Sequence, residues 1–449
     1  MNNAEATRTS QGGLWKAAIG SLIGILFFFL PIPMDDGTSN IPLVIVINAV
    51  KGGMGGAVKY MTLALALILA ATWILSLIKP NSKMARYHKK DGIMNGILFM
   101  LSAFFAILLV FGIGPDWLLN EEVGGLSLYL GGSVFITVLI AGFFVLFLTE
   151  FGFLDFVGTL MEPLMRPLYR LPGRSAVDAI ASFVAAPAVG IFLTNKLYTS
   201  GYYNQREAAG IATNFSICSL GFFALLATIG GITEYLPHMI LVSFIINFSL
   251  AAVMMRIPPI SRKKDEYYDK KAEDLSEEDN NGIKTSLLAK ATSRASLRAA
   301  EANKEDLIKG FWAAATFAQK ILAYVLSIAT VALLVATYTP VFDYLGYLVE
   351  PIVQLTQLPD AAAIAPTILI SIAEIALPAI IIAGVENIDP MSVFFVCTLS
   401  TVQIIFFTES ANAMLESDIP LTVLELVVIF LIRTALAIPL VAIATHLLF

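Results

Sequence analysis

The sequence predicts an all-α integral membrane protein built from two inverted repeats, each with a re-entrant hairpin and an interfacial helix. Two observations give the membrane and the helices. Of 449 residues, 57% are hydrophobic and 14% charged, with a mean hydropathy of +0.80, outside the balance of soluble domains. The apolar runs are continuous rather than alternating at period two, which excludes an outer-membrane barrel and leaves helices as the spanning element. A third observation, an internal repeat, gives the architecture.

Eleven apolar segments are candidates for the membrane: residues 14–33, 60–78, 93–114, 128–149, 176–197, 207–230, 237–255, 311–338, 361–384, 390–412 and 421–448. The first begins near Arg8 and Lys16 like a signal sequence, but no small-x-small cleavage site follows, so an uncleaved helix is expected. A further run, 41–50, falls short of the roughly twenty residues that a crossing helix needs and is expected to be re-entrant or interfacial. The glycines from Gly52 to Gly56 precede no Gly-Lys-Ser/Thr and mark a tight bend rather than a phosphate loop.

Orientation follows from the basic residues. Lys79, Lys83, Arg86, Lys89 and Lys90 place the loop after the second segment inside, and Asp116, Glu121 and Glu122 place the next one outside. The fourth segment then ends inside, in agreement with Arg166, Arg170 and Arg174. If residues 176–197 crossed the bilayer, the polar linker 261–309, with its eleven Lys and Arg, would lie outside, against the same rule. That segment is therefore expected to turn back at Ala185-Ala186-Pro187-Ala188-Val189-Gly190, where proline and small residues break it.

The stretch from Phe153 to Pro163 (FLDFVGTLMEP) reappears from Phe342 to Pro351 (FDYLGYLVEP) with one deletion, and Leu171-Pro172 matches Leu358-Pro359. Each copy follows a long helix and precedes a broken apolar segment, the second being 361–384 with Glu374 and Pro378. Two further helices close each unit. Three true crossings per unit make the second copy enter from the opposite side. Charge agrees, because residues 321–432 hold ten acidic side chains and no Lys or Arg. Inverted repeats with broken helices place a solute site near the midplane.

This order of helix, interfacial helix, hairpin and two helices, given twice, resembles that of concentrative nucleoside transporters. The Glu-Pro interfacial segments and broken helices look like the nucleoside-recognition Gate domain, found also in the FeoB ferrous-iron permease and the spore maturation proteins. Among Gate proteins the chain is most similar to the YjiH family of bacterial inner-membrane proteins, over about residues 128–255 and 311–448. The resemblance implies a multi-pass inner-membrane transporter for a small polar solute (nucleoside-like, amino acid or peptide), with Na+ or H+ as candidate coupling ions. Where nucleoside carriers have a polar pair and a glutamate in the first hairpin, this chain has Ala185-Ala186-Pro187, and Glu374 alone matches the acidic motif. The spore-maturation likeness implies a second class, a structural or assembly subunit of a membrane complex. Both copies lying in one chain favours transport.

Ionisable groups at membrane depth are functional candidates. Glu374 lies where Pro378 frees backbone carbonyls beside a carboxylate, as a cation or proton site requires; a protonated cap of the hairpin tip is the alternative. It is expected to face the first tip, with Ser182 and Pro187 completing the solute site. Asn214 and Ser216, with Thr213 and Ser219, and Thr401 and Gln403, with Thr398 and Ser400, offer hydroxyls and amides to a solute, although close helix packing uses the same residues. Glu409, Asn412, Glu425 and Arg433 are ion-coupling candidates. Arg433 lies roughly 20 Å of helix beyond Pro420, so an acidic partner, Glu425 or Glu409, is expected, as a structural salt bridge or a coupling pair. Glu150 is expected at the interface.

The linker has an acidic half, Glu277 to Asn281, and a half with Lys290, Arg294 and Arg298 on one helix face. A solvated tether is favoured over a helix lying on anionic lipid. The net charge is −6, and basic residues are confined to loops beside the membrane, so nucleic acid is not an expected partner. Cys218 and Cys397 lie in apolar runs and suit reduced, buried thiols. His88, His238 and His446 are isolated and form no metal set; no hydrolase or metalloprotease motif occurs, so neither cofactor nor enzyme chemistry is expected. The expected partners are a small polar solute, the bilayer, and a second copy or another membrane protein.

The resulting domains are 1–127 (N-terminal helices), 128–257 (first Gate-like repeat), 258–310 (charged cytoplasmic linker) and 311–449 (second repeat, inverted). Cysteines introduced beside Arg170 should react with an impermeant thiol reagent only from the cytoplasm, and beside Gln357 only from outside. Reaction of both from one side would remove the inversion.

Overall fold

The computed structural model describes residues 3–30, 32–33, 39–89, 91–268 and 287–449, nearly all helical. Apolar sequence that must satisfy its own backbone has little alternative. The N-terminal part holds α1 (Asn3–Phe29), α2 (Pro42–Met54), α3 (Ala57–Ile78), α4 (Lys83–Tyr87), α5 (Ile93–Phe111) and α6 (Asp116–Leu119). Helix α1 ends before a two-residue antiparallel pairing of Ile32–Pro33 with Ser39–Asn40. Helix α2 opens on a proline, harmless where the N–H has no helical acceptor, and its bend comes at Gly55, φ +46°.

Next come α7 (Leu126–Glu150), α8 (Phe153–Tyr169), α9 (Ser175–Val184), α10 (Pro187–Thr199), α11 (Gln205–Phe215), α12 (Leu220–Ile229) and α13 (Leu236–Met254). The C-terminal part has α14 (Leu287–Glu301), α15 (Lys304–Tyr324), one wide turn (Val325–Ala329), α16 (Thr330–Tyr338), α17 (Val341–Leu355), α18 (Ala361–Ile370), α19 (Leu377–Ala383), α20 (Pro390–Gln403), α21 (Ser410–Glu416) and α22 (Val423–Leu448). Seven stretches among the described residues are long and apolar enough to cross a membrane: Ala57–Ile78, Ile93–Phe111, Glu121–Glu150, Gln205–Ile229, Thr233–Met254, Lys304–Tyr338 and Val423–Leu448.

Both expected interruptions are present, at Ala185-Ala186 between α9 and α10 and at residues 371–376 between α18 and α19. Two others correct the sequence reading. Segment 207–230 breaks at residues 216–219, and segment 390–412 breaks at residues 404–409, where Ile404 takes φ +65°. No proline or glycine marks either place, so nothing local announces them. The element order from α7 to α13 thus recurs from α15 to α22: a long helix, a Glu-Pro helix (α8, α17), two broken pairs and a closing helix.

Two large apolar cores and two small ones hold the described pieces, and the large ones concern the site. One surrounds α7, α10 and α15, where Gly142 lets α15 approach so closely that an added Cβ would stand 2.8 Å from Ala314. The other joins α13, α20 and α22. Because lipid is as apolar as leucine, such close approach, rather than exclusion of apolar groups from water, drives helices together in a bilayer.

The described part of the linker is no tether. Helix α14 packs on α1 and α8, and its residue Ala295 sits against Gly152, whose φ is +83° and whose added Cβ would lie 2.3 Å from the Ala295 carbonyl oxygen. The acidic half around Glu277 lies outside the described residues. Glu150 is buried within the protein, where it accepts from Lys196 Nζ at 2.5 Å and from Arg298 Nη2 at 2.6 Å, joining α7, α10 and α14.

Gly152→Ala should therefore destabilise the protein by at least the ~1–2 kcal/mol of a left-handed non-glycine residue, with α14 displaced. A lower thermal midpoint in detergent and faster proteolysis at residues 287–301 are the readouts.

Candidate functional site at the helix breaks

Each helix end leaves backbone groups without intrahelical partners, and four interrupted segments multiply that problem. At three of the breaks the structure solves it with groups from another break. In the second unit, Phe407 N–H donates to Ile372 O at 2.8 Å and Thr408 N–H to Ala373 O at 3.2 Å, so the two interruptions run together like a short strand pair. Glu374 serves the same junction: it accepts from Ala376 N–H at 3.0 Å and from the Thr408 hydroxyl.

Glu409 was expected only as a coupling candidate or a partner of Arg433. It instead accepts from Ala188 N–H at 3.0 Å, at the first turn of α10. Pro187 opens that helix, and its positive end faces the carboxylate. The first break, Ala185-Ala186-Pro187, has no acid at its tip and the second unit supplies one, while Asp178, back in the first turn of α9, accepts from the Tyr203 hydroxyl at 2.6 Å. The hydrogen bonds of Glu374 among the described residues go to Thr408 and Ala376, within its own unit. Lys51 of α2, opposite in charge to Glu409, donates to Ser133 Oγ at 2.6 Å, and Cys218 is buried in the 216–219 break. Glu409 thus ties the 404–409 break of the second unit to the start of α10 in the first. One of its oxygens is bound, while the other has no hydrogen-bond partner among the described residues, and the residue keeps part of its surface open.

Arg433 is fully buried, and its partners correct the expectation of an acid. Its Nε donates to Val402 O at 2.6 Å, Nη1 to Asn214 Oδ1 at 2.8 Å and Nη2 to Asn247 Oδ1 at 2.5 Å. Val402 belongs to the last turn of α20 and Asn214 to the last turn of α11, so the guanidinium sits at two negative helix ends instead of against a carboxylate. Glu425 is occupied elsewhere, pairing with Lys263 at 2.6 Å and capping α22 with Thr422.

The other expected residues fall into place around this centre. Gln403 accepts from Ser371 Oγ at 2.5 Å and donates to Ile368 O and Thr434 Oγ1, both at 2.9 Å. Thr401 Oγ1 bonds Ser243 Oγ at 2.8 Å. Asn214 Nδ2 donates to Gly210 O, and Asn412 Nδ2 to Phe407 O. Ser182 bonds its own helix at Asp178 O and packs on Gly190, where an added Cβ would lie 1.7 Å from its Oγ. Ser216 is buried in the first-unit break. Asn214, Thr401 and Gln403 therefore brace the breaks with protein partners, while Glu409 keeps an oxygen free. Sequence reasoning missed Lys51, whose lone charge inside a short apolar helix was the available signal.

Arg433→Met should cost on the order of 3 kcal/mol, since it orphans two buried amide oxygens and a carbonyl. Arg433→Lys should not restore the wild-type thermal midpoint, because an ammonium cannot span three acceptors fixed by a planar fork.

The family described as nucleoside recognition, Gate, matches residues 132–233, from α7 through both broken pairs of the first unit into the turn before α13. An uncharacterized protein of Alkalihalophilus pseudofirmus is 33% identical over 452 residues, covering 99% of this chain and 96% of the relative. No solved structure matches the chain. The chain is thus a multi-pass, all-helical membrane protein with a YjiH-like nucleoside-recognition Gate domain, and it belongs to the same family as its Alkalihalophilus relative.

Proposed function

We propose that this protein is a secondary transporter of the cell inner membrane, moving a small polar solute (nucleoside-like, amino acid or peptide) past the junction of its helix breaks. The observation that carries the reading is Glu409: a carboxylate of the second unit seated on the first unit's α10, with one oxygen still available. A solute or a coupling Na+ or H+ that takes the free oxygen changes what holds the two units together, as alternating access demands. On this reading residues 128–257 and 311–449 are the inverted repeats, α9–α10 and α18–α19 are re-entrant hairpins, and residues 1–127 frame them. Glu374 is the inner carboxylate behind Glu409, poised to share a cation or a proton with it.

The test uses Glu409→Gln and Glu374→Gln, which keep shape and remove charge. Solute classes are first screened by thermal shift of the purified wild-type protein, and the best one is then assayed by counterflow in proteoliposomes. Glu409→Gln should fold with a near-wild-type thermal midpoint yet lose transport or its dependence on Na+ or pH. Wild-type ion dependence in both variants would overturn the reading.

A further inference from the structure

Helices α10 and α21 run side by side, tied at one end by Ala188 to Glu409 and at the other by the Asp418 N–H, which donates to Asn195 Oδ1 at 2.9 Å. At that second end lies a cavity of about 430 Å³. It is about 10 Å of helix from Glu409, and its size suits a small molecule.

The walls are unbalanced in charge, with Asp91, Glu416 and Asp418 against Lys320 alone among the lining residues. Lys320 Nζ lies 2.8 Å from Asp91 Oδ1, 3.1 Å from Glu416 Oε1 and 5.7 Å from the centre of the Tyr87 ring. Two carboxylates and an aromatic face are how a protonated amine is held, so the cavity wall already binds one. Asp91 is built for this. Its second oxygen accepts from His88 Nδ1 at 2.7 Å, and His88 Nε2 is 3.0 Å from Thr72 Oγ1. Burial opposes its charge, but the hydrogen bonds from His88 and Lys320 outweigh that and hold Asp91 below the ordinary carboxylate range.

We propose that this cavity is a binding site for the protonated amine of a cationic or zwitterionic solute, which takes Glu416 and Asp91 over from Lys320. The proposal rests on the transport reading for the identity of that solute as cargo, and the site lies on the route between Glu409 and the side of the Lys79–Lys83 loop. Exchange of one ammonium for another keeps both carboxylates paired, and the displaced Lys320 charge turns to Asp418, the third carboxylate of the lining. An anionic solute would meet three carboxylates here. At the centre it would find the start of α10 already filled by Glu409.

The probe is n-propylammonium chloride, with sodium chloride and sodium propanoate as controls. Ala313→Cys places a thiol on the cavity wall, while native Cys218 and Cys397 are buried. Propylammonium should slow labelling of that thiol by an impermeant maleimide, about threefold at twice its Kd by simple occupancy. Neither control should do so, and Glu416→Gln should abolish the protection. In Lys320→Ala, propylammonium should raise the thermal midpoint where sodium does not. Equal protection by sodium and propylammonium, or protection that survives Glu416→Gln, would overturn the amine site. Labelling confined to the face opposite the Lys79–Lys83 loop would overturn its place on the route. None of these readouts requires transport, so they fail independently of the Glu409 test.

Discussion

Interrupting a helix inside a membrane protein strands N–H and C=O groups where lipid offers no partner, and this constraint organises the centre of the molecule. The backbone of the 404–409 break pairs with that of the 371–376 break, Arg433 closes on the last turn of α20, and Glu409 closes on the first turn of α10. Positive and negative helix ends are matched by a carboxylate and a guanidinium respectively, the arrangement that the helix dipole favours. Neither charge needs an oppositely charged side chain in direct contact. That explains how an arginine can be wholly buried between two asparagines and a carbonyl.

The same contacts divide the residues by task. Those whose polar atoms are all used, such as Gln403 with Ser371, Ile368 and Thr434, hold a geometry. Glu409 differs because its bond to Ala188 crosses from one unit to the other and leaves an oxygen open. A rigid brace beside a partly satisfied acid is what a site that must respond to a small solute requires, since a fully satisfied network would have no free energy left to exchange.

Away from the centre, buried charge ties peripheral elements to the moving parts of the proposed mechanism. Glu150 holds Lys196 of α10 and Arg298 of α14 together, so the linker helix is mechanically joined to the first broken pair. Lys320 does the same for the α4–α5 loop and α21. Breaking the Glu150 cluster by removing one partner would leave an uncompensated charge, a cost of several kcal/mol, which is why it acts as a firm coupling.

Hydropathy, charge asymmetry and the FLDFVGTLMEP repeat made the helical membrane fold, the Gate likeness and two of the breaks legible in the sequence, because long apolar runs, loop charges and proline act locally and leave local marks. Glu374 was legible for the same reason, as a lone acid beside a proline. The breaks at 216–219 and 404–409 carry no such mark; at 404–409 a neighbouring element supplies the missing hydrogen bonds, and that supply is a tertiary fact. Pairing was likewise undecided by spacing. Arg433 and Glu425 lie eight residues apart on α22, close enough along the chain to suggest a salt bridge, yet the fold brings asparagines from α11 and α13 to the first and Lys263 to the second. Which acid reaches the first unit depends on how the two units dock, and a carboxylate's partners are set by what the fold places within 3 Å of it. The residue types were therefore settled in the sequence, while the roles of Glu409 and Arg433 were decided by the packing of two units that the chain itself keeps about two hundred residues apart.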